Sequence, residues 1–143
     1  MRQPEKFVCI TYPQIDFLIP SDYVASCVGV KDLETSLLQN QDSGIFDFDE
    51  IASKFNQTPR ESEIKTMIVL KAENENQVSV VTTQECRVST IALRDFGLFS
   101  DSYAKQFEDI GLLACNFFED RLRLLMDVRK TIDYMNHSLL EEL

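Results

Sequence analysis

Glycine and histidine are scarce in this chain, and their scarcity excludes several kinds of active site. The 143 residues include four glycines, at positions 29, 44, 97 and 111. No two of them stand in a phosphate-cradling loop or a dinucleotide-binding fingerprint, so the sequence carries no nucleotide-binding motif. The single histidine, His137, is far in sequence from any candidate nucleophile and falls on the polar side of a predicted helix. We therefore expect His137 to be an exposed surface residue.

Basic residues and long apolar runs are also lacking. The chain has 14 basic against 24 acidic side chains, for a formal net charge of -10, which repels phosphate backbones and anionic membrane surfaces. No apolar run reaches the roughly 18 residues that span a bilayer, and the first residues lack the apolar core of a signal peptide. These features predict a cytoplasmic protein that neither binds nucleic acid nor inserts into a membrane.

The cysteines lack the spacing of a metal site or a redox motif. Cys9, Cys27, Cys86 and Cys115 are widely scattered, with no C-x-x-C pair, and each lies in an apolar segment. A zinc site would need closely spaced Cys and His ligands, which are missing. We expect reduced thiols that are buried as small hydrophobic groups, with a disulfide or redox pair as the alternative.

Short segments with period-two alternation recur throughout the chain, and they are rich in β-branched and aromatic residues. Polar, short connections separate them, as expected for an all-β meander forming barrels or a sandwich, and a chain of this length fits one domain or two small lobes. Two segments, 48–59 and 100–110, resist the strand interpretation and predict short helical turns. The nine predicted strands cover residues 7–12, 15–19, 23–30, 44–48, 66–72, 77–83, 86–93, 110–118 and 121–128.

The C-terminal segment predicts an amphipathic helix, with Asp127 placed as its N-cap. We expect this helix to cover the mouth of a barrel. The alternative is a helix that binds a partner or a second copy. The apolar positions recur at spacings of three and four, at Val128, Ile132, Met135, Leu139 and Leu143.

The acidic stretch 40–55 raises the question of a metal loop or a catalytic carboxylate pair. A calcium loop needs oxygen ligands at alternate positions and a central glycine, whereas Phe46 and Phe48 occupy alternate positions here. The alternation places Asp47 and Asp49 on the solvent side of a half-buried strand. We expect these acidic residues to lie at the surface, and nothing in the sequence distinguishes an acid from a base for a hydrolase.

The order of segments resembles the CheW-like adaptor family of bacterial chemotaxis from about residue 7 to residue 134. "FVCITYPQIDFLIPSDYVASCVG" is similar to the family's opening, and "GIFDFDEIASKF" resembles its "viPvvDLr.rFg" segment. "TMIVLKAENENQVSVVTT" is similar to the central hairpin, and "IGLLACNFFEDRLRLLMDVRKTI" to the closing strands, with Asp127 on their last Asp.

The resemblance implies an all-β fold with a C-terminal helix, built from two packed five-stranded SH3-like β-barrels within a single CheW-like domain, 1–143. The approximate lobes are 7–56 plus the C-terminal segment, and 63–118. The resemblance also implies a scaffold with no enzymatic activity and no cofactor. Its expected partners are the cytoplasmic tip of a chemoreceptor and the regulatory domain of a histidine kinase, and self-association is a further expectation.

The resemblance also indicates which residues contact partners. The family's receptor-contacting face maps onto Tyr23, Val24 and Ser26, where a serine replaces an acidic residue. The family's Asn-Leu-Arg-Gly turn maps onto residues 40–43, where the Asn is kept and Asp42 replaces the Arg. An acidic side chain cannot reproduce the planar fork of donors of an Arg, so a contact made through it would be lost or reversed in sign. The predicted partner-binding residues are Tyr23, Val24, Ser26, Asn40, Asp42 and Ser43.

A second hypothesis comes from another class of function. The acidic loops 42–50 and 119–120 could serve a β-barrel domain that binds a small ligand or a divalent metal. Such a domain would gain thermal stability from the cation by linkage.

Overall fold

A computed structural model describes residues 5–29, 45–55, 63–71, 77–99 and 107–141, with residues 95 and 138–141 described by their backbone only. Within these residues the chain forms two β-sheets and a C-terminal helix, which confirms the predicted fold class. The nine strands are β1 (Glu5–Tyr12), β2 (Ile15–Pro20), β3 (Val24–Gly29), β4 (Ile45–Asp47), β5 (Thr66–Lys71), β6 (Gln77–Thr82), β7 (Cys86–Ile91), β8 (Leu112–Phe118) and β9 (Arg121–Met126). The described residues also form a short helix α1 (Asp49–Ala52), a long helix α2 (Val128–Glu141) and 3₁₀ turns at Ser21–Tyr23 and Leu93–Asp95, and residues 107–110 are helical.

The five-stranded sheet has the order β7-β1-β2-β9-β8. The segment that follows β7 reaches the opposite edge, where the backbones of Gly97 and Cys115 exchange two hydrogen bonds of 3.0 Å. The two edges of this sheet are thereby brought together, as in a barrel. The predicted meander is wrong for this sheet, because β2 pairs with β9 in parallel and places distant parts of the chain side by side.

The four-stranded sheet has the order β3-β5-β6-β4. β5 and β6 form the predicted central hairpin, while β4 joins β6 in parallel. The predicted lobes are 7–56 plus the C-terminal segment, and 63–118. In this sheet, β3 and β4 of the first range pair with strands of the second range. Alternating apolar residues specify which face of a strand is buried, but they do not specify its neighbour.

Most of the apolar core lies between the two sheets. Strand β1 alternates so that Val8, Ile10 and Tyr12 enter this central core, while Phe7 and Cys9 enter a smaller cluster on the other face. Leu93 and Phe96, in the segment after β7, pack against that smaller cluster. The sheet is therefore apolar on both faces, which explains why its strands read as nearly continuous apolar runs.

The helix α2 confirms the predicted amphipathic segment. The Asp127 side chain accepts a hydrogen bond of 3.3 Å from the backbone N–H of Lys130, which makes Asp127 the N-cap. Val128, Ile132 and Met135 are buried in the central core, and the helix packs on β5 and β6. Leu139 and Leu143 lie outside the described side chains.

Gly111 allows the chain to pass close to the beginning of α2. Its φ is +97°, and a Cβ at this position would lie 2.7 Å from the backbone nitrogen of Thr131. Its carbonyl accepts a hydrogen bond of 2.7 Å from the N–H of Asp127. A side chain at Gly111 would therefore be excluded both by backbone conformation and by space.

A buried ion pair joins the β1–β2 hairpin to β9. Asp16, which is 3% exposed, receives hydrogen bonds from Arg121 Nε (3.1 Å) and Nη2 (2.7 Å). The same Nη2 donates to the carbonyl of Tyr12 at 2.6 Å. The β8–β9 hairpin just before Arg121 turns through Glu119 and Asp120, both with positive φ, so these residues adopt the primed turn that the sequence disfavours.

Candidate functional site

Three of the predicted partner-binding residues lie together at the beginning of β3. Tyr23 ends the 3₁₀ turn after Pro20, and Val24 and Ser26 belong to β3 itself. Tyr23 and Val24 pack partly against the central core, whereas Ser26 is exposed. Asn40, Asp42 and Ser43 lie outside the described residues, so their place relative to β3 stays a prediction.

β3 is an exposed edge strand. It pairs with β5 on one side, and no strand of the described chain lies on its other side. After Val24 every residue of β3 is exposed, including Val28 at 46%. A register shift between Val24 and Ser26 marks a β-bulge, which bends the edge. β3 therefore combines an available backbone edge with exposed small and apolar side chains.

A second set of exposed apolar side chains lies on β8 and on the segment bridged to it, with Phe117 and Phe118 on opposite faces of the strand. We call this set the β8 strip and define it by Leu98, Leu113, Phe117 and Phe118. Phe117 and Leu98 are 77% and 85% exposed. Sequence reasoning missed this strip, although the adjacent pair Phe117 and Phe118 carried the signal, because two consecutive residues of a strand cannot both face one core.

The positively charged side chain of Arg123 lies at one end of the β8 strip. The Arg123 guanidinium lies 4.6 Å from the ring centroid of Phe118 and 5.4 Å from that of Phe96. Its Nε donates a hydrogen bond of 2.9 Å to Asn116 Oδ1. These contacts fix Arg123 and Phe118 in one orientation, so this end of the strip is preorganised.

Asp47 is buried, which corrects the prediction of a surface position, and Asp49 is partly exposed. Asp47 is 7% exposed, and its carboxylate accepts a hydrogen bond of 3.1 Å from the Asp49 N–H at the beginning of α1. Asp49 Oδ1 accepts from Tyr12 Oη at 2.6 Å and from Thr82 Oγ1 at 2.9 Å. Asp49 Oδ2 accepts from Thr83 Oγ1 at 2.6 Å. The Asp49 carboxylate therefore ties the end of β1 to the end of β6.

Tyr12 serves this network as a neutral donor. Burial and the negative charge of Asp49 raise the pKa of the Tyr12 hydroxyl far above its usual range. A proton held this firmly is unsuited to acid–base exchange near neutral pH. Because both Asp49 oxygens accept hydrogen bonds from the protein, the chemistry of this group is structural.

The metal-binding hypothesis receives no support from the described residues. Among them, no three His, Cys, Asp or Glu side chains are grouped so that they could hold a metal ion. Glu119 and Asp120 lie exposed in the β8–β9 turn. His137 is exposed on α2, as predicted.

The cysteines depart from the predicted burial at three of the four positions. All four are free thiols, and Cys9 is buried as expected. Cys27 is exposed, and Cys86 and Cys115 are half-buried. The exposure of Cys27 follows from its place in an edge strand, which the apolar residues around it do not reveal.

Within the described residues, no helix is long and apolar enough to cross a lipid bilayer.

Comparisons with known proteins bear on the fold. No protein-family model matches the chain, and the comparison with curated proteins finds no relative. Among solved structures, the scaffolding protein TtCheW from Thermoanaerobacter tengcongensis superimposes with a TM-score of 0.58. The match covers 90% of this chain and 87% of TtCheW at 10% sequence identity. The two sheets and terminal helix described above are thus the CheW-like fold that the order of segments predicts.

Proposed function

We propose that the chain is a non-enzymatic adaptor of chemotaxis-type signalling that binds other proteins in the cytoplasm. The observation that carries this proposal is the exposed edge of β3, on a fold shared with a scaffolding protein. Two of the described carboxylates support the same conclusion, because Asp16 and Asp49 are engaged in partly buried ion-pair and hydrogen-bond networks.

Strand β3 suits protein recognition for a physical reason. An edge strand offers a row of backbone donors and acceptors that a partner strand can pair with, and its exposed side chains give specificity. Ser26 and Val28 are paired with Val69 and Met67, so they share the sheet face of those two half-buried residues. A partner covering this face would bury apolar area from both strands.

A bridging adaptor needs two separate surfaces, and β3 and the β8 strip belong to different sheets. The family resemblance assigns the face at Tyr23, Val24 and Ser26 to a chemoreceptor tip. We assign the β8 strip to the second partner, the regulatory domain of a histidine kinase. The ordered Arg123–Phe118 stack is of the kind that dominates protein interfaces, where aromatic and Arg side chains are enriched.

Self-association through α2 is less well supported. The apolar positions Val128, Ile132 and Met135 are already buried within the chain, so they are not available to a second copy. Sedimentation of the protein alone measures this directly. We expect a monomer at micromolar concentration.

The test is a pair of binding titrations with the full chain, one against the receptor tip and one against the kinase regulatory domain. Val28→Asp places a charge on β3, and we expect it to weaken receptor binding at least tenfold, about 1.4 kcal/mol, without weakening kinase binding. Val88→Asp is the matched control, because Val88 is also an exposed valine, 67% accessible, on the other sheet.

Phe117→Asp gives the reciprocal test for the β8 strip, with loss of kinase binding and retention of receptor binding. If the folded protein binds neither partner, the adaptor proposal is wrong. If Val28→Asp and Val88→Asp weaken binding equally, the loss reflects added negative charge and not the β3 edge.

A further inference from the structure

Two cysteines lie on edge strands of different sheets and face the same space. Cys27 of β3 is paired with Ile68, and Cys86 of β7 is paired with Ile10. Ile68 and Ile10 are 1% and 0% exposed and belong to the central core between the sheets. Since directly opposed residues in an antiparallel ladder share a face, both thiols point toward the layer between the two sheets.

The two thiols lie near each other. Thr66, paired with Gly29 two residues after Cys27, donates a hydrogen bond of 3.1 Å to the carbonyl of Gln84, two residues before Cys86. Each thiol also influences the pKa of the other. β3 and β7 are the outermost strands of their sheets. The sequence gives little sign of this pair, because 58 residues lie between Cys27 and Cys86.

Solvent can reach the pair from two sides. Cys27 is itself exposed. A cleft of about 450 Å³ opens beside Cys86 and is lined also by Thr11, Lys65, Gln84, Glu85 and Arg87. A small polar oxidant can therefore approach either sulfur without unfolding of the sheets.

We propose that Cys27 and Cys86 are a modification site that forms a reversible disulfide between β3 and β7 when a hydroperoxide oxidises Cys27. The Cys27 thiolate attacks one peroxide oxygen, the O–O bond breaks, and an alcohol or water leaves after protonation, so that Cys27 becomes a sulfenic acid. The Cys86 sulfur then attacks the Cys27 sulfur, the S–O bond breaks, and water leaves. In total the two thiols lose two electrons and two protons, and the hydroperoxide is reduced to an alcohol and water, or to two waters.

The oxidation of this pair is slow, and it is selective for sustained exposure to the oxidant. Burial raises the pKa of both thiols, that of Cys86 to about 12, so the reactive thiolates are scarce at neutral pH. Such a pair responds to sustained oxidation and not to brief pulses. A dithiol reductant such as dithiothreitol restores both thiols by exchange.

The bond would hold the exposed edge of β3 against the five-stranded sheet. A disulfide closing a loop of this length restricts the unfolded chain, and we expect a rise in Tm of roughly 5 to 10 °C. This chemistry does not depend on partner binding, so its test is independent of the test of the adaptor function.

The test is oxidation of the full chain with hydrogen peroxide, followed by non-reducing peptide mapping by mass spectrometry. We expect a peptide joining Cys27 to Cys86, with the intact mass lowered by two hydrogen atoms and restored by dithiothreitol. Because this mapping uses the unmodified sequence, it does not depend on whether a variant folds.

Two variants test which cysteines form the crosslink. Cys115→Ser, which changes a half-buried thiol on β8, leaves the crosslink in place, whereas Cys27→Ser removes both the crosslink and the rise in Tm. The proposal is overturned if Cys27 is carried to a sulfinic acid without a crosslink, or if the disulfide joins Cys27 to Cys9, to Cys115 or to a second chain.

Discussion

Strands β2 and β3 follow one another in the sequence and have six residues each, but they differ in burial. In β2 all residues but the last are buried, whereas in β3 all residues after the first are exposed. β2 lies between β1 and β9 in the five-stranded sheet, while β3 forms the edge of the other sheet. Position in the sheet, and not apolar content, therefore separates a strand that holds the fold from one that is available to a partner.

The largest loss of stability is expected when the packing of the buried strand β2 is disrupted. Phe17 of β2 is 0% exposed and makes edge-to-face contacts with Tyr12, Phe48 and Phe55. We expect Phe17→Ala to lower the free energy of unfolding by about 3–5 kcal/mol through lost burial and a cavity. Urea unfolding measures this change. Phe117→Ala, at a 77% exposed phenylalanine, is the control and should leave the midpoint nearly unchanged.

The next largest loss of stability is expected at the ion pair between Asp16 of β2 and Arg121. Asp16→Ala removes both carboxylate acceptors of Arg121, whose side chain is 32% exposed and keeps its hydrogen bond to the Tyr12 carbonyl. We expect a loss of about 2–3 kcal/mol, below the value for a fully buried pair because water can still reach the guanidinium. Glu108→Ala removes the exposed pair with Lys130 and serves as the control. Equal effects of the two substitutions would contradict a special role for the buried pair.

A smaller and pH-dependent effect is expected at the Tyr12–Asp49 contact. Because the pKa of Tyr12 is raised in the folded state, the folded protein keeps a proton that the unfolded chain loses above about pH 10. Stability from this group is complete below that pH and falls as the pH rises beyond it. Tyr12→Phe should lose about 1–2 kcal/mol at pH 7 and show a weaker decline in alkali. Tyr134→Phe, in α2, controls for removal of a hydroxyl, and an equally steep decline in Tyr12→Phe would disprove this assignment.

The smallest effect on stability is expected on the exposed strand. Val28→Asp should change the free energy of unfolding by no more than about 0.5 kcal/mol, because Val28 is 46% exposed. The same urea titration measures it. A loss of several kcal/mol would mean that β3 supports the fold in the way that β2 does.

Much of the fold could be predicted from the sequence, because period-two alternation marks strands wherever one face is buried. The central hairpin β5–β6, the terminal helix and its N-cap Asp127 were predicted in this way. Strand partners could not be predicted, since the parallel pair β2–β9 joins segments about a hundred residues apart through backbone bonds that carry no side-chain signal.

The partner-binding site stays a prediction. Tyr23, Val24 and Ser26 came from the family resemblance, and the structure places them at an exposed edge. The exposure of β3 could not be predicted, because "VASCVG" is apolar enough for an interior strand. The environment of Asp49 could not be predicted either, since its partners Tyr12 and Thr82 lie 37 and 33 residues away.

Amide hydrogen exchange of the full chain, alone and with the receptor tip, tests the central claim most directly. In the free protein we expect slow exchange in β2 and fast exchange along residues 24–29. On binding, β3 should become protected while β2 stays unchanged. Binding that protects the β8 strip and leaves β3 exchanging as in the free protein would contradict the assignment of β3 as the receptor-binding edge.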